Sequence, residues 1–239
     1  MKQLSRPLAS LLLVLFAWSP YTCAEQADRL SAEISNAELE QRLKFIETRL
    51  ARQSPNAQYW QHGWTGFHAA SAAAQAVLAV DADDSDDEIN YLVGAVKSTG
   101  ALAQLLIRPL PAVQSATRFQ ALPSRSHEDR VHKLAQGEAL LHENADRAAT
   151  RSGWRRHLIG IGANLLGGVA IAAFGDSSDA VTSTLLGIAV SETNIWTEPS
   201  RAVNDLEDYQ NNKWAQRETS EVSWRVVPLA RRVEVNIKF

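Results

Sequence analysis

The sequence predicts a mainly α-helical protein, a helical bundle built from two related helical hairpins with a short C-terminal β ribbon. Residues 58–108 and 153–198 are apolar and rich in alanine and glycine, and each stretch is interrupted by a polar turn. Segment 175–192, GDSSDAVTSTLLGIAVSE, is similar to segment 82–99, ADDSDDEINYLVGAVKST. The chain ends in VEVNIKF, whose alternation of apolar and polar side chains is typical of a strand.

Residues 1–24 are predicted to be a signal peptide. Lys2 and Arg6 precede an apolar run at 8–18, and a small-residue site ending at Ala24 follows. The run is shorter than the roughly twenty residues of a spanning helix, which favours cleavage after Ala24 over an uncleaved anchor. The mature chain is therefore predicted to be periplasmic or secreted.

Composition excludes several classes of site from the mature chain. Removing residues 1–24 takes two of the 24 basic residues and none of the 27 acidic ones, so the formal charge falls from −3 to −5. It also takes the single cysteine, which leaves no disulfide, no thiolate nucleophile and no sulfur-based zinc site. A mildly acidic chain without a basic stripe argues against a nucleic-acid partner.

Three regions follow the signal. We expect an amphipathic N-terminal helix at 25–56, a helical bundle domain at 57–215 and a β tail at 216–239. The first helix is predicted to end at Ser54 and Pro55, where proline forbids continuation. Its apolar stripe indicates either a short coiled coil or, as we favour, packing on its own domain. The stripe comprises Leu39, Leu43, Ile46 and Leu50.

Within the bundle domain, the two hairpins at 58–108 and 153–198 align as a duplication. The alignment places Trp154 on Trp60 and, after a slip of one residue, Gly187 on Gly94. A polar helix at 126–151 separates the hairpins. Its thin apolar stripe predicts a surface helix with one face down, and Ser126 with Asp129 forms a capping box at its start.

In the tail, Pro228 separates two short strands. The face formed by Val233, Val235, Ile237 and Phe239 is expected to cover an apolar surface of the bundle, because an isolated hairpin is marginally stable in water. The open edge of this ribbon is a predicted docking site for a partner strand.

The apolar hairpins could either fold in water or insert into a membrane. Small residues at four-residue spacing suit helix packing in both solvents. In an exported chain the acidic hairpin tips would lie on the cytoplasmic side while Arg155 and Arg156 stay outside, the reverse of the positive-inside rule. Lys97 and Glu192 inside the apolar segments would each cost at least about 2.5 kcal/mol at bilayer depth. The sequence therefore favours a soluble or surface-associated domain over inserted hairpins.

Candidate catalytic residues come from the few ionisable groups in the apolar segments. Lys97 and Glu192 lie at similar heights in the two hairpins, so we expect them either to pair across the core or to line a cleft. The cleft would also contain His68, Gln75 and Asn164. The candidates for catalysis are His62, His68, Lys97 and Glu192.

The acidic turn is a candidate calcium site, because Ca²⁺ prefers several carboxylate oxygens. It lacks the glycine at position six and the glutamate at position twelve of an EF-hand loop. The alternative is that these residues cap the following helix. The candidate ligands are Asp81, Asp83, Asp86 and Asp87.

No GxSxG, phosphate loop or HExxH motif occurs in the chain. The sequence therefore favours an exported, non-enzymatic structural or interaction module of the cell envelope. Its expected partner is another envelope protein or a membrane surface. Two alternatives remain, namely a small periplasmic hydrolase or metal-dependent enzyme with a cleft between the hairpins, and a membrane-inserted helical hairpin protein.

Overall fold

The computed structural model describes residues 34–151, 153–215, 223–229 and 232–238, the last two ranges by their backbone only. The signal peptide predicted at 1–24 and the terminal Phe239 lie outside the described residues. The described chain is mainly helical and forms a helical bundle, as the sequence predicts.

Seven helices, a 3₁₀ turn and two strands follow one another along the described chain. The helices are α1 Asn36–Val80, α2 Ser85–Ile107, α3 Ala112–Gln120, α4 His127–Arg151, α5 Trp154–Phe174, α6 Ser177–Trp196 and α7 Arg201–Gln210, with the 3₁₀ turn at Lys213–Ala215. The strands are β1 Ser223–Leu229 and β2 Arg232–Lys238, which run antiparallel with Ser223 opposite Lys238. The packing of this tail on the bundle stays a prediction.

Helix α1 is 45 residues long and runs through Pro55, so the prediction that it ends at Ser54 and Pro55 is wrong. A proline inside a helix loses a backbone hydrogen bond and crowds the preceding turn, which costs about 3 kcal/mol. Contacts with the chain near α3 offset this cost. Ala57 is fully buried, and Ser54 Oγ and Gln58 Nε2 donate to the Val113 carbonyl at 3.2 and 3.3 Å.

The first half of α1, residues 36–57, packs with α3, α4 and α7 into what we call the bundle module. Its core is a conventional apolar one, formed by Leu39, Ile46, Leu50, Phe119, Val131, Leu134, Leu140 and Leu141. The α4 stripe thus faces inward as predicted. The capping box is confirmed, because Asp129 N donates to Ser126 Oγ and Ser126 N to Asp129 Oδ2, both at 3.0 Å.

Helix α3 lies in a stretch of mixed composition between the first hairpin and the polar helix. It has nine residues, too few for a clear helical period, but Phe119 on it is 1% exposed and fills the bundle core. This helix is therefore stabilised by burial of Phe119 against distant parts of the chain rather than by a local sequence pattern.

A buried polar network ties the four elements of the bundle module together. The Asp205 carboxylate on α7, which is 1% exposed, accepts from Gln53 Nε2 at 2.7 Å and from Arg49 Nη1 at 3.2 Å. Gln53 Oε1 in turn accepts from Asn144 Nδ2 at 2.7 Å, and Asn144 Oδ1 lies 2.8 Å from Ser115 Oγ. Buried polar groups are stable only when each has a partner, so this chain fixes one arrangement of the helices.

The second half of α1, residues 58–80, packs with α2, α5 and α6 into what we call the hairpin module. In the first hairpin the Gln75 amide lies over Gly94, where a Cβ would meet Gln75 Oε1 at 1.5 Å. Gln75 Nε2 donates to Ser98 Oγ and to the carbonyl of Ser71, each at 3.1 Å. A glycine thus allows a polar side chain to fit between two closely packed helices.

The second hairpin uses the same arrangement with a shorter amide. Asn164 lies over Gly187, where a Cβ would meet Asn164 Oδ1 at 1.9 Å. Asn164 Nδ2 donates to Ser191 Oγ at 3.0 Å and to the Gly160 carbonyl at 2.9 Å. Both hairpins are therefore held by an amide, a glycine and a serine on the partner helix.

The first helices of the two hairpins differ more than the second helices. Trp60 is 7% exposed and its Nε1 donates to Thr197 Oγ1 at 3.3 Å, whereas Trp154 is 67% exposed. The duplication that would equate these two tryptophans stays a prediction.

Replacing Gly187 by leucine should destabilise the protein by about 2 kcal/mol, because the new side chain displaces the Asn164 amide and overpacks the α5–α6 contact. Gly63 has nothing within 4 Å of its Cβ position, so Gly63→Leu is the matched control and should cost little. Urea unfolding followed by circular dichroism measures both. Equal midpoints for the two variants would contradict the close contact.

Replacing Asp205 by alanine should cost about 3 kcal/mol, because it leaves Gln53 and Arg49 without their buried acceptor. Asp208, which binds the same Arg49 at 3.1 Å but is more exposed, provides the control. Asp208→Ala should cost less than about 1 kcal/mol. Thermal unfolding of the two variants should differ by several degrees, and identical melting temperatures would contradict the role of the network.

Candidate functional site

In the hairpin module the usual burial pattern is reversed. On α5 the buried positions are Asn164, Gly168 and Ile171, while Leu166 and Val169 are 74% and 66% exposed. The exposure of apolar side chains extends over the module, since every large exposed apolar side chain in the described residues except Val203 belongs to it. Soluble monomers rarely expose a contiguous apolar surface of this extent.

The outward faces of these helices also carry no ionisable side chain apart from tyrosine over most of their length. The segments 63–80, 89–107, 157–174 and 180–197 contain four such residues. All four are buried or half-buried rather than exposed, and they are His68, Lys97, His157 and Glu192.

The two ends of the module differ in chemistry. At the end near the bundle module, Tyr59, Trp154 and Trp196 are 81%, 67% and 78% exposed, and Arg155 follows Trp154. The hairpin tips at the other end are acidic. Helix α5 has 21 residues and so spans about 31 Å between these ends, close to the roughly 30 Å of a bilayer hydrocarbon core. Among the described helices, α5 is the one long and apolar enough to cross a membrane by length and composition.

Between the four helices of the hairpin module lies a cavity of about 760 Å³. Its lining brings together four residues that the sequence placed in a cleft, namely His68, Gln75, Lys97 and Asn164. Glu192 is not among the lining residues, and neither is His62, which is exposed on α1. The catalytic role of these candidates stays a prediction.

Lys97 reaches across the cavity from α2 to α6. Its stem passes Gly167, where a Cβ would lie 3.0 Å from Lys97 Cδ. Its Nζ donates to Ser183 Oγ at 3.1 Å and to the Ser183 carbonyl at 3.3 Å. In the part of the chain that the structure describes, no carboxylate lies within ion-pair distance of this ammonium group.

The expected pairing of Lys97 with Glu192 is wrong. Glu192 Oε2 instead binds His157 Nδ1 at 2.7 Å and accepts from Trp196 Nε1 at 3.1 Å. Lys97 contacts α6 at Ser183, nine residues before Glu192, a separation of about 13 Å along a helix. The alignment of the two hairpins predicts similar heights for Lys97 and Glu192. The packing of α2 against α6 instead separates them along the helix axis.

His68 lies on the α1 side of the cavity and is 8% exposed. Its ring stacks on Trp64 at a centroid distance of 5.7 Å and contacts the edge of Phe67 at 5.2 Å. Within the described ranges neither ring nitrogen makes a hydrogen bond.

The acidic turn caps a helix. Asp84 is the N-cap of α2, and its Oδ1 accepts from the backbone N–H groups of Asp86 and Asp87, each at 2.9 Å. The negative charge of Asp84 is the main cause that raises the pKa of Asp87. Over residues 34–151 and 153–215, no three acidic or histidine side chains are grouped as metal ligands. A calcium-binding role of the candidates Asp81, Asp83, Asp86 and Asp87 stays a prediction.

The chain matches no protein-family model, and neither the curated proteins nor the solved structures that were searched contain a match.

Proposed function

We propose that this protein is a non-enzymatic, membrane-bound module of the cell envelope. The hairpin module contacts the hydrocarbon of a bilayer, and the bundle module stands in water. The observation that carries the proposal is the burial pattern of the hairpin module, in which most large apolar side chains face outward while the four ionisable ones of its long apolar segments are buried or half-buried.

Energetics favours lipid over water around these faces. Apolar surface in water costs roughly 25 cal/mol for each Å², and α5 alone leaves seven large apolar side chains exposed. The seven are Trp154, Leu158, Ile159, Leu165, Leu166, Val169 and, at the tip, Phe174. Exposed aromatic residues at one end match the interfacial position that tryptophan and tyrosine prefer.

The charge objections to insertion lose their weight when the side-chain directions are known. Lys97 and Glu192 have polar partners inside the module and do not face outward. Tip carboxylates contribute little to the positive-inside rule, which counts lysine and arginine. Arg155 and Arg156 near the bundle module favour a cytoplasmic bundle, but the N-terminal signal acts first, so we propose export with the bundle outside.

Two finer features belong to the same proposal. The shared amide, glycine and serine contacts support a duplication of the hairpin, with Gly94 and Gly187 as equivalent positions. The tail at 216–239 is proposed to be a β ribbon that covers apolar surface of the bundle and offers one edge to a partner strand.

The hydrolase alternative retains one suggestive contact, Lys97 Nζ to Ser183 Oγ at 3.1 Å. A serine nucleophile also needs free hydrogen-bond donors to stabilise the oxyanion. Ser183 lies in the middle of α6, where backbone N–H groups are engaged in the helix. The geometry therefore favours binding over acyl transfer.

The double variant Leu166→Glu, Val169→Glu should lose membrane binding. Two carboxylates facing hydrocarbon would cost at least about 5 kcal/mol, whereas the same residues in water would cost the fold little because both sites are already exposed. The measurement is flotation with phosphatidylcholine vesicles, followed by alkaline carbonate extraction.

Val203→Glu is the matched control, because Val203 is the exposed apolar residue that lies on α7 in the bundle module. It should float as the wild type does. A wild-type protein that stays in the soluble fraction, or a double variant that floats unchanged with native circular dichroism, would contradict lipid contact.

A further inference from the structure

The cavity of the hairpin module contains a cation whose charge is not balanced within the described chain. The Lys97 ammonium group donates two hydrogen bonds, both to Ser183, so one of its three N–H groups has no partner there. Lys97 is half-buried, and a charge that is partly removed from water is stabilised when it is paired with an opposite charge. An anion in the cavity would complete this site.

Two more donors line the same cavity. His68 is more than nine-tenths buried and makes no hydrogen bond in the described ranges, and Arg156 has a buried Nε with no acceptor. Gln61 and Gln75, which lie on either side of His68 along α1, bond to Leu105 and Ser98 on α2. His68 therefore lies near the level of Ala101. Ala101 is about one turn, or about 6 Å, along α2 from Lys97.

Among the residues that line the cavity, the one with a carboxylate lies at the end near the hairpin tips. Asp179 lines it there and accepts a long hydrogen bond from Asn90 Nδ2 at 3.5 Å. An anion would therefore be held near Lys97 and His68, away from the tip.

The mouth of the cavity opens into the apolar outer surface. Val96, Ile159 and Leu186 line the cavity and are also 71%, 63% and 62% exposed. A ligand that enters there comes from the medium that surrounds the outward faces. A free inorganic anion would have to cross this apolar surface, whereas an amphiphile is already dissolved in it.

We propose that the cavity binds a single-chain amphiphile with a carboxylate headgroup, a long-chain fatty acid, taken from the bilayer. The carboxylate accepts from Lys97 Nζ and from the ring N–H of His68, while the chain lies along Val96, Leu186 and Ile159. A volume of about 760 Å³ is within the range of pockets for one small ligand. The inference rests on the proposed lipid contact, because the ligand enters from hydrocarbon.

The chemistry predicts discrimination against a neutral amphiphile of the same length. A fatty alcohol would fill the apolar part of the cavity but would leave the Lys97 charge unpaired. Charge-assisted hydrogen bonds to a carboxylate are roughly twice as strong as neutral ones.

The test uses two photoreactive probes in phosphatidylcholine vesicles that carry the full protein. One is palmitic acid and the other hexadecanol, each with a diazirine on the chain, and labelled residues are mapped by mass spectrometry. The acid should label cavity residues such as Val190 and Ile195 at least tenfold more than the alcohol does. Both probes should label the outward residues Leu166 and Val169.

Lys97→Met keeps the length of the stem and should reduce cavity labelling by the acid at least tenfold. Lys44→Met, on an exposed position of the bundle module, is the matched control and should label as wild type. His68→Phe keeps a flat ring beside Trp64 and removes the second donor, so it should reduce cavity labelling severalfold even if Lys97→Met fails to fold.

Equal labelling of the cavity by the acid in wild type and Lys97→Met, or labelling confined to outward residues, would overturn the cavity proposal and leave lipid contact standing. Absence of outward labelling by both probes would instead contradict the lipid contact itself. The two proposals can therefore fail separately.

Discussion

Contacts between an amide side chain and a glycine on the facing helix determine how the hairpin module is built. Gln75 on Gly94 and Asn164 on Gly187 use hydrogen bonds and close backbone approach, where most soluble bundles use large apolar side chains. Because the space between the helices is filled by small and polar groups, leucine, valine and phenylalanine are left on the outside. The apolar surface thus follows from how the helices pair.

One helix connects this module to a bundle with the opposite pattern. In the first half of α1, Leu39, Ile46 and Leu50 are fully buried, as in a soluble protein. Past Pro55 the same helix turns small and apolar residues outward and His68 inward. A continuous helix through proline therefore links a water-facing module to a module suited to hydrocarbon, and the Val113 carbonyl contacts hold the junction.

The sequence predicts much of the fold because local signals are strong in this chain. The helical hairpins, the polar helix before the second one and the Ser126–Asp129 cap all follow from period and capping chemistry. The continuation of α1 through Pro55 and the short helix α3 depend on tertiary burial, which no local pattern contains. The sequence also predicts a cleft lined by His68, Gln75, Lys97 and Asn164, and all four line the cavity.

The sequence alone does not show in which direction each side chain points from its helix. Ionisable residues in an apolar helix argue against lipid when their direction is unknown, and that objection falls away when His68, Lys97, His157 and Glu192 are all buried or half-buried. The separation of Lys97 from Glu192 has the same origin, since it depends on helix register between the hairpins rather than on position along each one.

The central claim is that the outward faces of the hairpin module lie in hydrocarbon while the bundle module lies in water. The most direct measurement is electron paramagnetic resonance of single spin-labelled cysteines in vesicles. The cysteines replace Leu92, Leu166, Leu185 or Lys44, one at a time, in the mature chain. The account predicts high collision rates with oxygen and low rates with a water-soluble nickel complex at the three leucine positions, and the reverse at Lys44. High accessibility to the nickel complex at all four positions would contradict it.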